Sequence, residues 1–246
     1  MSKELISKLS AFIKEPLLED LELQLMQPNF FYELNLQHAE IRHSNFLAWL
    51  LNPKKSHGLG THVLRHFLKD IFSENYCEWM NEFEVDRLDL REVEIRREWN
   101  NIDLLIITDK FAVCVENKIW STDHSGQLAR YRDELKKSLP KHHHAFVYLT
   151  PEGVAPSEEE GSEYLSYSYH KIAKILQSVI GIYSEALSTR SRIYIEDYLT
   201  VIRREIVKDD KINELASRIY LSHPDALDFI FENKPDRLTE VGKIFE

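Results

Sequence analysis

Three ionisable side chains stand at the rims of the most apolar stretch of this sequence, NIDLLIITDKFAVCVENKIW (residues 101–120). Asp103 precedes the first apolar run, and Glu116 and Lys118 end the second run. Two carboxylates beside an ammonium group are typical of sites that bind a divalent cation and hydrolyse a phosphoester. The spacing alone is weak evidence, because 29% of the residues are charged. What decides is whether the fold brings the three groups together.

A β-hairpin would bring them together. If Asp109 and Lys110 are the central residues of the turn, Asp103 lies opposite Glu116. Lys118 then projects from the same face, because side chains alternate along a strand. Directly opposed Cβ atoms are roughly 4.5 to 5.5 Å apart, so the two carboxylates repel each other unless a cation or a proton lies between them. Asp-Lys is a poor type I′ turn sequence, which makes the turn the weakest part of this prediction.

The donor atoms predict the ion and its role. Oxygen ligands without Cys or His at zinc spacing favour Mg²⁺ or Mn²⁺, which keep several waters and often bind through substrate phosphates. Such an ion lowers the pKa of a bound water and polarises a phosphoryl oxygen, while Lys118 orients the attacking water or offsets charge in the transition state. The predicted reaction is phosphodiester hydrolysis.

The elements around the site read as helices, then strands, then helices again. About five strands are predicted by the alternating pattern from residue 92, the hairpin, AFVYLT and YLSYSY. A helix, GQLARYRDELKKSL, falls between the third and fourth strands, and HKIAKILQSVIGIY follows the fifth. Upstream, helical spacing predicts two short helices broken at Pro16, then HAEIRHSNFLAWLLNP and THVLRHFLKDIF.

Composition limits the class of protein. The 246 residues, 43% of them hydrophobic, suit one large domain or one domain with a helical appendage. A net charge of −10 argues against a surface coated with phosphate-binding charge, so a nucleic-acid site must be a local patch. Cys77 and Cys114 give no disulfide framework. With no signal peptide or membrane span in the sequence, we expect a soluble, cytoplasmic protein.

The order of these blocks resembles the PD-(D/E)XK nuclease superfamily, with Ile102-Asp103 in place of Pro-Asp and ENK as the (D/E)XK element. Over about residues 40 to 153, EIRHSNFLAWLLNP, HGLG, IDLLI, VENKI, QLARY and YLTPEG are similar to successive blocks of one bacterial family of predicted nucleases. The resemblance implies an α/β (α+β) fold with a restriction-endonuclease-like αβββαβ core. Its central mixed sheet of about five strands would be flanked by N-terminal and C-terminal helices.

The resemblance also implies a hydrolase that cleaves nucleic acid, DNA rather than RNA, with Asp103, Glu116 and Lys118 as its central site and Mg²⁺ or Mn²⁺ bound by the acids. Restriction or phage defence is a setting by family analogy only. We expect an N-terminal helical segment (1–39), a nuclease core (40–187) and a C-terminal helical segment packed on it (188–246). A homodimer or a protein partner is also expected, and no membrane contact. The alternative is a catalytically silent nuclease-fold module that binds nucleic acid or a protein.

Three further residues match the family blocks. Glu40 matches the helix acid that often completes such sites as a metal ligand; the alternative is an exposed first-turn glutamate favoured by the helix dipole. Gln127 and Tyr131, four residues apart on one helix, resemble a Gln-x-x-x-Tyr element that would hold a phosphate or the metal-bound water. The alternative is that Tyr131 packs in the core and Gln127 caps the helix or is solvated.

Weaker candidates are His43, Ser44 and the tract KKSLPKHHH (136–144). A histidine near a helix start is more often structural than a ligand. The tract would be either a phosphate-facing patch or a solvated helix end favoured by the dipole.

Overall fold

A mixed sheet lies at the centre of the fold, and among the described residues it has five strands in chain order. The structure, a computed structural model, describes residues 3–74, 79–121, 126–156, 159–209 and 211–234, so Cys77 lies outside the described residues. The strands are β1 (Glu94–Trp99), β2 (Ile102–Ile107), β3 (Phe111–Asn117), β4 (His143–Thr150) and β5 (Tyr164–Ser168). The first three pair antiparallel, and β4 and β5 continue the sheet parallel to β3.

Helices precede, interrupt and follow the sheet. The α-helices are α1 (Lys3–Ile13), α2 (Pro16–Leu25), α3 (Phe30–Glu33), α4 (Glu40–Leu51), α5 (His62–Glu74), α6 (Glu82–Asp86), α7 (Gln127–Ser138), α8 (Tyr169–Ile182), α9 (Thr189–Val201), α10 (Lys211–Ser222) and α11 (Pro224–Glu232). A 3₁₀-helix (Glu159–Glu163) precedes β5, and a π-helix (Ile202–Ile206) follows α9. The mixed five-stranded sheet flanked by helices confirms the predicted fold class. The sequence did not reveal α3 and α6, because four or five residues are too few to show helical periodicity.

The β2–β3 hairpin turns at the predicted position despite its unfavourable sequence. The Thr108 side-chain oxygen accepts the N–H groups of Lys110 (3.2 Å) and Phe111 (2.9 Å). These hydrogen bonds stabilise a turn that has no Gly or Asn at its centre. At the β1–β2 hairpin, by contrast, Asn100 and Asn101 both have positive φ (50° and 68°), as a type I′ turn requires.

The two faces of the sheet are covered by different helices. Alternate residues of β2 and β3, such as Leu104 and Val115, face a large apolar core that includes residues of α4, α5 and α8. The intervening residues, such as Leu105 and Cys114, pack in a smaller core with Leu128, Tyr131 and Leu135 of α7. Because side chains alternate, residues at the strand end also divide between these two sides.

Contacts divide the chain into two units. One comprises residues 1–28 and 209–246, in which α2 packs on α10 and α1 on α11. An ion pair joins Lys8 to Asp225 (2.8 Å) within this unit. The other unit, residues 29–208, holds the sheet, and α9 packs on α8 within it. The three-segment division stays a prediction.

None of the helices in the described part of the chain combines the length and the apolar character that crossing a bilayer requires.

Candidate active site

The candidate site lies where β2 begins and β3 ends. The backbone pairs run from Leu104 with Val115 to Ile107 with Ala112, which is the predicted register. Asp103 is the next residue before this paired segment. One of its carboxylate oxygens accepts the backbone N–H of Asn117 at 2.9 Å. The carboxylate of Asp103 is thereby fixed at the end of the β2–β3 ladder.

Glu116 and Lys118 project toward α7 and meet there. The Lys118 ammonium lies 2.9 Å from a carboxylate oxygen of Glu116, and their side chains expose only 10% and 2% of their area. The side-chain amide of Gln127 donates to the same carboxylate oxygen (2.8 Å) and to the Tyr131 hydroxyl (2.8 Å). Lys118 in turn donates to the Gln127 carbonyl at 3.3 Å. The structure therefore brings four of the six predicted side chains into one hydrogen-bonded group.

Asp103 is held in a setting that disfavours its negative charge. Burial is the main reason that its pKa is raised above the ordinary value. The charges of Glu40 and Glu98 act in the same direction, while the N–H of Asn117 and the charge of Lys118 oppose the shift. The hairpin register predicts repulsion from Glu116, whereas burial is the main cause and the acids that add to it are Glu40 and Glu98.

Lys118 remains a cation. Burial acts to lower the pKa of its ammonium group, but the charge and hydrogen bond of Glu116, with the charges of Asp103 and Glu40, outweigh burial and raise it. A lysine with a raised pKa is protonated at neutral pH, so it acts as a positive charge and a hydrogen-bond donor rather than as a base.

Glu40 lies at the start of α4 and binds the loop after β3. One of its carboxylate oxygens accepts the N–H groups of Ile119, Trp120 and Ser121 (2.7, 2.6 and 2.9 Å), and the other accepts the Ser121 hydroxyl (2.6 Å). Burial acts to raise the pKa of Glu40, but these hydrogen bonds outweigh it and the pKa is lowered. Glu40 is therefore an ionised anchor for residues 119–121.

The side chains that would hold a divalent cation are the carboxylates of Asp103 and Glu116. Asp103 and Glu116 lie on the same face of neighbouring strands, and Mg²⁺ commonly binds one or two carboxylates together with waters and substrate phosphates. In the described part of the chain, no three Asp, Glu, His or Cys side chains form a group that could hold a metal. The role of Glu40 as a third ligand stays a prediction.

Sequence reasoning missed two residues near the site. Asn117, inside the ENK element, donates to the Ser44 hydroxyl (3.0 Å) and accepts from the Tyr169 hydroxyl (2.9 Å) on the other side of the sheet. Glu98 falls opposite Asp103 when the β1–β2 register is followed, and it has a positive φ of 50°. The alternation of side chains along β3 would have indicated that Asn117 faces the other side of the sheet. The position of Glu98 could be predicted only from the β1–β2 register.

The weaker candidates occupy different places. Ser44 accepts the Asn117 side-chain amide at 3.0 Å and donates to the Glu40 backbone carbonyl at 3.3 Å. His43 is fully buried, and its ring nitrogen Nε2 contacts the Gln37 carbonyl at 3.0 Å. The tract 136–144 ends in the first residues of β4, where His143 pairs with Phe111 at the beginning of β3. Since Glu116 ends the same strand, the tract lies at the opposite end of the sheet from the candidate site.

Comparison with known proteins gives one result. A sequence model of the PD-(D/E)XK nuclease superfamily matches residues 28–222, which include every candidate site residue named above. Searches of curated proteins and of solved structures return no significant match to the chain.

Proposed function

Because the chain belongs to the PD-(D/E)XK nuclease superfamily, we propose that it is a magnesium-dependent phosphodiesterase that cleaves nucleic acid, DNA in preference to RNA. The observation that carries this proposal is the group at the end of β3, where Glu116, protonated Lys118 and Gln127 are hydrogen-bonded beside Asp103. An acid with a raised pKa next to a protonated lysine is an arrangement that active sites use.

Each side chain has a role in this proposal. Asp103 and Glu116 hold Mg²⁺ or Mn²⁺, which supplies Lewis-acid polarisation of the phosphoryl oxygen and a lowered water pKa when bound. Lys118 donates hydrogen bonds to the phosphate as negative charge develops on it. Gln127 orients the Glu116 carboxylate and is itself held by Tyr131. Glu40 keeps residues 119–121 in place beside Lys118.

The wider setting belongs to the same proposal. We place the reaction in the cytoplasm, with nucleic acid as the partner and with a homodimer or protein partner as a further possibility to test. Restriction or phage defence is supported by family analogy only. A silent nuclease-fold module would bind nucleic acid or protein without cleaving it.

The first experiment separates the enzyme from the silent module. Purified protein is incubated with single-stranded and duplex DNA and RNA, with Mg²⁺, with Mn²⁺ and with excess chelator. Cleavage that depends on the metal and stops in chelator is expected. Cleavage that continues in chelator, or no cleavage of any substrate, would contradict the proposal.

The second experiment separates the roles of the side chains. Asp103→Ala and Glu116→Ala are expected to lose both activity and metal binding, whereas Lys118→Ala loses activity, about 10²-fold or more, and keeps much of its metal affinity. Glu40→Gln should retain intermediate activity, because it weakens the anchor of residues 119–121. Calorimetric titration with Mg²⁺ checks the division, and equal loss of metal in the Asp103, Glu116 and Lys118 variants would refute it.

A further inference from the structure

The candidate site is recessed. Glu116 and Lys118 are almost completely buried, and Asp103 is half-buried beside them. Little of their surface is open to solvent, so a phosphate must be bent closely toward these groups to reach them. A single strand bends more readily than a duplex, whose persistence length is about 150 base pairs.

Trp120 lies two residues beyond Lys118 and is exposed. It leaves 44% of its area open to solvent, although a large aromatic residue usually gains from burial. Its position is nevertheless fixed. Its backbone N–H donates to a carboxylate oxygen of Glu40 at 2.6 Å, and its ring contacts His38 and His43 edge-on, with ring centroids 5.5 Å apart in each case. The chain thus holds an open aromatic surface beside the site.

The negative net charge of the chain means that an aromatic surface could contribute to nucleic-acid affinity where positive charge does not. Affinity for duplex nucleic acid comes largely from Lys and Arg groups that neutralise phosphates, and this chain carries a net charge of −10. Stacking of a base on an aromatic side chain contributes about 1–3 kcal/mol per base and needs no positive charge. It requires a base that is not already stacked in a duplex.

We propose that Trp120 is a stacking platform for an unpaired base next to the scissile phosphate, and that the substrate is single-stranded nucleic acid or an unpaired end. This inference rests on the proposed function, because it takes the group around Glu116 as the place of cleavage. Trp120 sets the substrate class and takes no part in bond breaking.

Binding is the direct test. In an Asp103→Asn background, which removes cleavage, fluorescence anisotropy is measured with a labelled single-stranded oligonucleotide and with its duplex. Trp120→Ala and Trp120→Leu are expected to weaken single-strand binding about 5-fold to 150-fold, which corresponds to 1–3 kcal/mol. Trp120→Phe keeps a stacking face and should stay within about threefold of the parent. The matched control is Phe83→Ala, which removes another exposed aromatic side chain (69%) on α6 and should change nothing.

The pattern across substrates distinguishes stacking from a structural role. Loss of a packing residue would weaken single-strand and duplex binding alike, whereas a platform affects the single strand alone. Unchanged single-strand binding in Trp120→Ala and Trp120→Leu, or an equal loss for both substrates, would overturn the inference. Wild-type protein that cleaves duplex as well as single strands would also overturn it while leaving the proposed function intact. Trp120-dependent binding without any cleavage would uphold the platform and refute the nuclease.

Discussion

The end of β3 presents two contrasting sides. Toward α7, Glu116 and Lys118 are ionic and nearly buried, and they lie beside an aspartate whose pKa is raised. Toward α4 and α8, Asn117 is neutral, and its amide is bonded to the hydroxyls of Ser44 and Tyr169. Residues one position apart in the sequence therefore occupy a charged site and a neutral polar network.

The contrast separates two tasks. A neutral buried network with its hydrogen bonds made rigidifies the structure, and this one ties β3 to α4, the helix that carries Glu40. A charged buried group costs stability unless its partners compensate, and such groups are kept where binding or chemistry uses them. We infer that the residues around Asn117 stabilise the structure and that the residues around Glu116 serve binding or catalysis.

The largest effect on stability is expected from Asn117→Ala. The substitution leaves the hydroxyls of Ser44 and Tyr169 buried without their amide partner and should lower the free energy of unfolding by about 2–4 kcal/mol. Gln127→Ala removes an amide on the other side of the strand, but Glu116 keeps its ion pair with Lys118, so the substitution should cost about 1 kcal/mol. Urea unfolding of both variants without metal compares the two sides. Equal losses would mean that the sides do not differ as described.

A smaller effect is expected from His43, which is packed beside the network. Burial lowers the pKa of its imidazole, while the bond to Gln37 and the charge of Glu40 act in the other direction. The native state therefore resists protonation, so stability is complete above the ordinary pKa of 6.5 and decreases as the pH falls below it. His43→Phe keeps an aromatic ring and removes this proton.

Unfolding measured at pH 7 and pH 5 tests this prediction. The wild type should lose more free energy of unfolding between the two values than His43→Phe does. An identical loss in both proteins would show that the pH dependence arises elsewhere.

Much of this arrangement follows from local sequence. The alternation of side chains along a strand predicted that Glu116 and Lys118 project from the same face. The pairing of Leu104 with Val115 was predicted because a one-residue slip would move every side chain to the other face of the sheet. The spacing of Gln127 and Tyr131 placed both on the same face of α7. These predictions succeed because strand and helix periods are properties of the backbone.

The rest depends on contacts between residues distant in sequence. The role of Glu40 as a metal ligand stays a prediction, and the sequence did not reveal that its carboxylate accepts the N–H groups of residues 119–121, 79 to 81 positions away. Burial of Asp103 depends on how the helices cover the sheet. The network around Asn117 joins three elements, and a short polar residue in a strand does not reveal which hydroxyls it will meet.

The measurement that tests the central claim most directly compares wild type with Asp103→Asn in thermal melts, with and without Mg²⁺. The folded pKa of Asp103 is raised, so its ionised form costs stability at neutral pH; the cost decreases as the pH falls through the folded pKa and is gone below the ordinary pKa of 3.8. Asn removes the charge at the same size and still accepts the Asn117 N–H, so the metal-free variant should melt at or slightly above wild type. Mg²⁺ at a hundredfold excess over its dissociation constant should stabilise wild type by about 2.7 kcal/mol and the variant little. A variant clearly less stable than metal-free wild type that still gains the full Mg²⁺ shift would contradict the account.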